Sequence, residues 1–153
     1  MSHLPEPALS ADTLDQVRAI FAAAFVADLG VSLEALGPGW CETSLAIQPR
    51  HLQQNDFVHA GVQATLADHT AGAAARTLVA AGLTVLSIEF KINLLRPAVG
   101  QTLRCRADVL RGGRTISVVE AAVYAGDGHG EKLTAKATVT LAVVPIPTSK
   151  EQL

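Results

Sequence analysis

Charge, aromatic rings and cysteine are all scarce in this sequence. Charged residues make up 17% of the 153, against 49% hydrophobic. That is few charges for a surface that faces only water; with the many Ala and Val residues, it points to surface hidden between subunits, the alternative being a well-filled core under an ordinary polar surface. Aromatics are 4%, and the net charge is -2 from 14 acidic and 12 basic residues. With no basic tail and no Lys/Arg run, no nucleic acid is expected as partner, although a local basic patch can still hold a small phosphorylated ligand. The two cysteines, Cys41 and Cys105, make neither a disulfide framework nor a C-x-x-C pair. Both lie in alternating segments, which favours buried thiols. There is no basic-plus-apolar leader and no apolar run of membrane length, so no membrane is expected as partner and the cytoplasm is the expected compartment.

The patterns that are present follow one another in a clear order. Residues 1–10 hold two prolines and few apolar side chains and read as a flexible tail. The run ADTLDQVRAIFAAAFVADLG predicts one helix with Leu14, Val17, Phe21 and Phe25 as its apolar stripe, Asp12 or Thr13 as its cap and Gly30 at its end. Val31 to Leu36 is a short strand leading into the turn at Gly37-Pro38-Gly39. Beyond the turn, Trp40, Thr43, Leu45 and Ile47 mix with Cys41, Glu42 and Ser44, which suits a strand with one wetter face. A polar stretch, RHLQQNDFVHAG, precedes an Ala-rich helix from about Ala60 to Ala81. Its small side chains let the helix backbone approach a sheet closely. Strands follow over Val85 to Ile92, Thr102 to Leu110, the segment after Gly112-Gly113, and Leu133 to Leu141; residues 145–153 read as a tail. Nothing here has a βαβ rhythm, so the expected fold is α+β: one domain over 11–144, an antiparallel sheet wrapped around a central helix. Such a sheet leaves open edges, which pairing in a dimer would cover.

The residue that most needs a reason is Asp68. It lies about two turns into the long helix, too deep for a cap, and its neighbours three and four positions away are Thr65, Ala64, Ala71 and Gly72. No helix ion pair holds it, and a carboxylate on a helix bound for burial is costly unless it is bonded or used. Three readings stay open: a side chain facing solvent at a gap in the sheet, a structural hydrogen bond to backbone or to Thr65, or a functional acid. His59, Ala60 and Gly61 stand at the helix start, where unpaired N–H groups and the positive end of the helix polarise a carbonyl that gains charge. Ala60 and Gly61 are small enough to let a substrate reach those amides, and the His59 ring suits a bond to local backbone. Gln53, Gln54 and Asn55 offer loop amides for a water or a carbonyl. Lys91 and Arg96 flank INLL, while Arg111 and Arg114 bracket Gly112-Gly113 at a tight turn suited to phosphate oxygens.

Other chemistries are poorly served. The sequence has no G-x-G-x-x-G, Walker loop or G-x-S-x-G elbow. Its five histidines, His3, His51, His59, His69 and His129, show no metal-ligand spacing, so no metal site is expected. His69 adjoins Asp68 but points elsewhere on a helix.

Three stretches carry a resemblance: NDFVHAGVQATLADHTAGAAA, VLSIEFKINLLRPAVGQTLRCRADVLRGGRT and KLTAKATVTL. Over roughly Leu29 to Leu141 the chain resembles the hot-dog-fold thioesterases of the phenylacetate-degradation type, through H-x-G, the L-A-D on the helix and the R-P strand ending taken together. The resemblance implies a homodimer, usually paired again into a homotetramer, with active sites at the dimer interface. It implies hydrolysis of an acyl-coenzyme A thioester to a free acid, with coenzyme A as part of substrate and product and no other cofactor required. The family's helical acid matches Asp68, as nucleophile or as general base for water, and the family's His-Gly-Gly turn matches His59, Ala60 and Gly61, with the Ala60 N–H polarising the thioester carbonyl. An upstream amide best matches Gln53, with Asn55 as the alternative. A strand hydroxyl matches Ser87, assisting water or the acid from the partner subunit. Two departures stand out: the middle glycine of the turn is Ala60, and a loop glycine is replaced by Asp56. Coenzyme A phosphates are expected near Arg111 or Arg114, with Arg96 as a further candidate. Two rivals remain, an acyl-thioester dehydratase that uses His59 with Asp68, and a non-catalytic dimer that binds acyl-coenzyme A.

Overall fold

A computed structural model describes residues 8–147. The first seven residues of the expected N-terminal tail and the last six of the C-terminal one lie outside them. Two helices, α1 (Ala11–Phe21) and α2 (Ala24–Leu29), precede the strands β1 (Val31–Gly37) and β2 (Trp40–Ala46). A 3-10 turn at Pro49–His51 leads to α3 (Ala60–Arg76), then β3 (Leu83–Leu94), β4 (Thr102–Gly112), β5 (Ile116–Gly126) and β6 (Glu131–Pro145). The six strands form one sheet in the order β1-β2-β4-β5-β6-β3, every pair antiparallel. It curls around α3, the α+β hot-dog arrangement that the resemblance implies.

The reason α3 can sit in that sheet is its alanine content. Leu66, Ala67, Ala71, Ala73, Ala74 and Ala75 are buried against Leu45, Leu103, Ala107, Val119, Val123, Val139 and Leu141. The strands turn alternate residues inward. On β2 these are Cys41, Thr43 and Leu45, so the wetter face is Trp40, Glu42 and Ser44, with the Arg106 guanidinium 4.2 Å over the Trp40 ring. Cys41 and Cys105 are free buried thiols; desolvation, the main cause, pushes each up to about 12. Several polar groups inside the core are paired. Thr43 donates to the Thr70 hydroxyl at 2.7 Å, which donates in turn to Leu66 O at 2.6 Å. Arg76, buried in the last turn of α3, donates Nη1 to Val79 O at 3.1 Å.

Three local expectations change. The N-terminal segment is two helices rather than one, because Val17 and Val26 both reach the core. Nine residues at about 100° each would set them on opposite faces of a continuous helix; an extended Ala23 (φ -62°, ψ 136°) breaks the helix so that both turn inward, and Phe25 is left exposed. The cap of α1 is Ser10, whose Oγ accepts from Thr13 N–H at 3.1 Å, rather than Asp12 or Thr13. Helix α3 stops at Arg76, five residues short of Ala81. The Thr77 hydroxyl donates to Ala74 O and accepts from Gly39 N–H at 2.7 Å, so the β1–β2 turn abuts the helix end.

Two outcomes follow. Ala71→Leu overfills the α3–sheet contact, and thermal unfolding is expected to show a loss of about 1–3 kcal/mol. His69 packs edge-on against Phe21, ring centroids 4.8 Å apart, with its buried Nε2 unpartnered among the described residues. Burial lowers its pKa below the ordinary 6.5, and Asp68 only partly opposes this. The unfolded chain therefore binds the proton more readily, so this contribution to stability is complete above about pH 6.5 and is lost as pH falls. Urea unfolding at about pH 7.5 and about pH 5 should show that acid-side loss in the native protein and a smaller one in His69→Leu.

Candidate active site

The loop before α3 is built like a small hairpin. Leu52 bridges Val58, Gln53 N–H donates to Phe57 O at 2.8 Å and His59 N–H donates to His51 O at 2.8 Å. Asp56 turns the loop at φ 62°, the left-handed conformation a glycine would take and one that Asp tolerates. The departure at Asp56 therefore keeps the turn. Sequence reasoning gave no role to His51. It is buried, its Nδ1 accepts from Gln48 N–H at 3.0 Å, and its Nε2 lies 2.9 Å from Leu29 O. It ties this loop to the end of α2.

His59 caps α3: its Nδ1 accepts from Gly61 N–H at 2.9 Å. A methyl group at Gly61 would stand 3.0 Å from that nitrogen, so glycine is what lets the ring fold back. Val62 and Gln63 N–H both bond His59 O. Among the first amides of α3, Ala60 N–H is left without a partner among the described residues, and Ala60 is exposed. It opens onto a cleft of ≈ 570 Å³ whose lining includes Gln53, Phe57, His59, Gln63, Leu94 and Arg96. Gln53 is fixed there by its own Oε1, which accepts from Asn55 N–H at 2.7 Å. Asn55 supplies that backbone amide and does not line the cleft.

Asp68 is half-buried and accepts from Ser87 Oγ at 2.6 Å. Thr65, the other candidate partner, donates instead to Gly61 O at 2.9 Å. The Ser87 contact comes from the edge of the sheet. β3 pairs Ser87 with Leu141, then slips so that Glu89 meets Thr140 and Ile88 has no opposite residue. Leu141 is buried on the helix side, so its partner Ser87 faces the helix too, and a bulge of this kind re-aims side chains locally. The hydroxyl that meets Asp68 belongs to the same chain.

These groups form three separate stations in one chain. Gln53, His59, Ala60 and Arg96 share the cleft. Asp68 lies eight residues beyond Ala60, about 12 Å along the helix axis. Arg111 and Arg114 lie past the C-terminal end of α3, where Arg114, Leu78 and Leu83 line a second cavity of ≈ 430 Å³. The Gly113 amide there is taken by Ile116 O at 2.9 Å, so it is not available for a phosphate. The described residues hold no cluster of three or more His, Cys, Asp or Glu able to bind a metal ion, and none of their helices is long and apolar enough to cross a membrane.

Comparison with known proteins places the chain in a family and agrees with its fold. The profile of the thioesterase superfamily matches residues 55–132, from the loop before α3 to the start of β6. A thioesterase family protein from Silicibacter pomeroyi is 36% identical, with 88% of this chain and 99% of that one covered and a TM-score of 0.85. A conserved protein from Pseudomonas aeruginosa is 31% identical over 83% of this chain and 98% of its own, with a TM-score of 0.76. The PaaI protein of the E. coli phenylacetic acid degradation operon, 20% identical over 92% of this chain and 97% of its own, shares the fold at a TM-score of 0.78. On the matched profile and the identity to its relatives, the chain belongs to the thioesterase superfamily and carries its hot-dog fold.

Proposed function

We propose that the protein hydrolyses acyl-coenzyme A thioesters to a free carboxylic acid and coenzyme A, with the segment 11–144 as one working domain. The observation that carries the reading is the Asp68–Ser87 pair, a bonded carboxylate at the edge of a helix otherwise packed with alanine. The Ala60 N–H, unpaired among the described residues at the positive end of the same helix, supports it as the donor to a carbonyl oxygen that gains charge. Asp68 attacks the carbonyl carbon itself or takes a proton from the water that does, and Ser87 orients its carboxylate. His59 favours this over dehydration. Its Nδ1 accepts from Gly61, so the neutral ring holds its proton on Nε2 and has no free lone pair to act as base.

The separation of Ala60 from Asp68 along α3 calls for a second copy. Strand β3 is a twelve-residue edge that exposes Leu86, Ile88, Phe90 and Leu94, an apolar margin that suits pairing with another chain. A two-fold axis there lays two α3 helices side by side and antiparallel, so that the Ala60 end of one comes alongside Asp68 of the other. In that arrangement Gln53, His59 and Ala60 of one subunit act with Asp68 and Ser87 of the second. The same axis carries Arg111 and Arg114 toward the other subunit's cleft, where Arg96 already stands, to meet coenzyme A phosphates. Further pairing into a tetramer is compatible with this reading.

Two experiments test it. Thiol release from a panel of phenylacetyl, hydroxybenzoyl, short-chain and medium-chain coenzyme A esters should fall by orders of magnitude in Asp68→Asn. It should fall by about 10²–10³ in Ala60→Pro, which removes only the N–H at a helix position where proline fits. Near-normal turnover in either variant defeats the role given to that group. Ile88→Glu, placed on the open edge, should convert a dimer to monomers by light scattering and abolish turnover with it; a dimer that survives the change refutes pairing through β3.

A further inference from the structure

Gln63 is the polar residue on the inner side of α3 that hydrolysis leaves unexplained. It lies on the same stripe as Leu66, Ala67 and Thr70, and only 3% of it is exposed. Its Oε1 accepts from Thr134 Oγ1 on β6 at 2.9 Å. No partner among the described residues meets its Nε2, yet Gln63 lines the cleft onto which Ala60 N–H opens. The amide is anchored at one end, and its other end is left to the cleft. That end can donate to a ligand that brings an acceptor. Phe57, Leu94 and Leu95 give the cleft an apolar wall that suits the hydrocarbon of an acyl group, while its other polar side chains are Gln53, Gln54, His59 and Arg96.

We propose that Gln63 is a specificity-determining residue that donates from Nε2 to an oxygen carried by the acyl group close to its thioester end, as in a 3-oxoacyl group. This rests on the proposed thioester chemistry at Ala60 and adds the class of acyl group. The nearness follows from the helix: Gln63 stands one turn beyond Ala60, about 4.5 Å along the axis, so an oxygen within its reach sits only a few bonds from the carbonyl held by the Ala60 amide. Thr134 is a positioning residue. Its hydroxyl holds Oε1 and so turns Nε2 toward the cleft. It also lies 3.2 Å from Val123 O, which keeps it bonded when Gln63 is replaced. Gln63→Met therefore removes the amide at nearly constant volume and leaves no orphaned hydroxyl.

The test uses binding rather than turnover. Two coenzyme A thioethers, with a methylene in place of the thioester carbonyl, are titrated by calorimetry. One carries a 3-oxo group and the other is the unsubstituted alkyl chain of equal length. The wild type should prefer the 3-oxo analogue by about tenfold, the worth of one buried hydrogen bond. That ratio should fall toward one in Gln63→Met, and fall in Thr134→Val, where the amide loses its anchor. A wild-type ratio near one, or a ratio that survives Gln63→Met, overturns the assignment and leaves Gln63 as a brace between α3 and β6. Neither analogue can be cleaved, so the outcome is independent of the hydrolytic reading. A wild-type ratio near one with thiol release intact removes the Gln63 assignment alone. A wild-type preference that Gln63→Met abolishes, without thiol release from any ester, removes hydrolysis alone.

Discussion

Helix α3 touches all six strands of the sheet, and the face it turns to them is mostly methyl groups. Ala67, Ala71, Ala74 and Ala75 are fully buried or nearly so, and their size sets how near the helix axis lies to the strands. Larger side chains would hold the helix off and open the curl of the sheet. The approach has a second consequence. With the helix body enclosed, its N-terminal end and the margin along β3 are where its polar groups can reach anything outside the core. Ala60 N–H and Asp68 occupy those two places.

The two threonines at the sheet-facing side and end of the helix are paired. Thr70 bonds Thr43 and Leu66 O, and Thr77 bonds Gly39 and Ala74 O. These bonds join the helix to β2 and to the β1–β2 turn at fixed positions along its length, so they set its register against the sheet as well as satisfying buried atoms. Against that background the few groups that are not fully used stand out: the Ala60 amide, the free end of Gln63, and Nε2 of His69. The first two open onto one cleft. The third is sealed behind Phe21, where it serves packing and makes stability sensitive to acid.

Much of this was legible from residue patterns, and the failures have identifiable causes. The alternation in β3 to β6 and the alanine run of α3 predicted the layers, because burial on one face writes a period into the chain. The break between α1 and α2 left no Gly or Pro to signal it; it arises because two valines half a helix turn out of phase both bury. The early stop of α3 is likewise set by Gly39, a residue far away in sequence that binds the Thr77 hydroxyl. His51 read as a loop residue because its partners, Gln48 and Leu29 O, are backbone groups that no side-chain pattern reveals. Gln63 did leave a trace, a polar residue at a core spacing, and its meaning needed Thr134 beside it.

The sequence by itself determined the class of fold, the family, the position of a lone carboxylate within a small-residue helix, and the small residues at that helix's start. These follow from local rules: periodicity, side-chain volume, and the cost of a charge without a neighbour three or four positions away. Tertiary structure decided which groups meet. A slip of register at Ile88 brought Ser87 to Asp68, the His59 ring claimed the Gly61 amide and left that of Ala60 free, and Arg111 and Arg114 came to rest at the far end of α3. Contacts of this kind join residues distant in the chain, and they depend on strand register and helix rise, which only the assembled sheet and helix define.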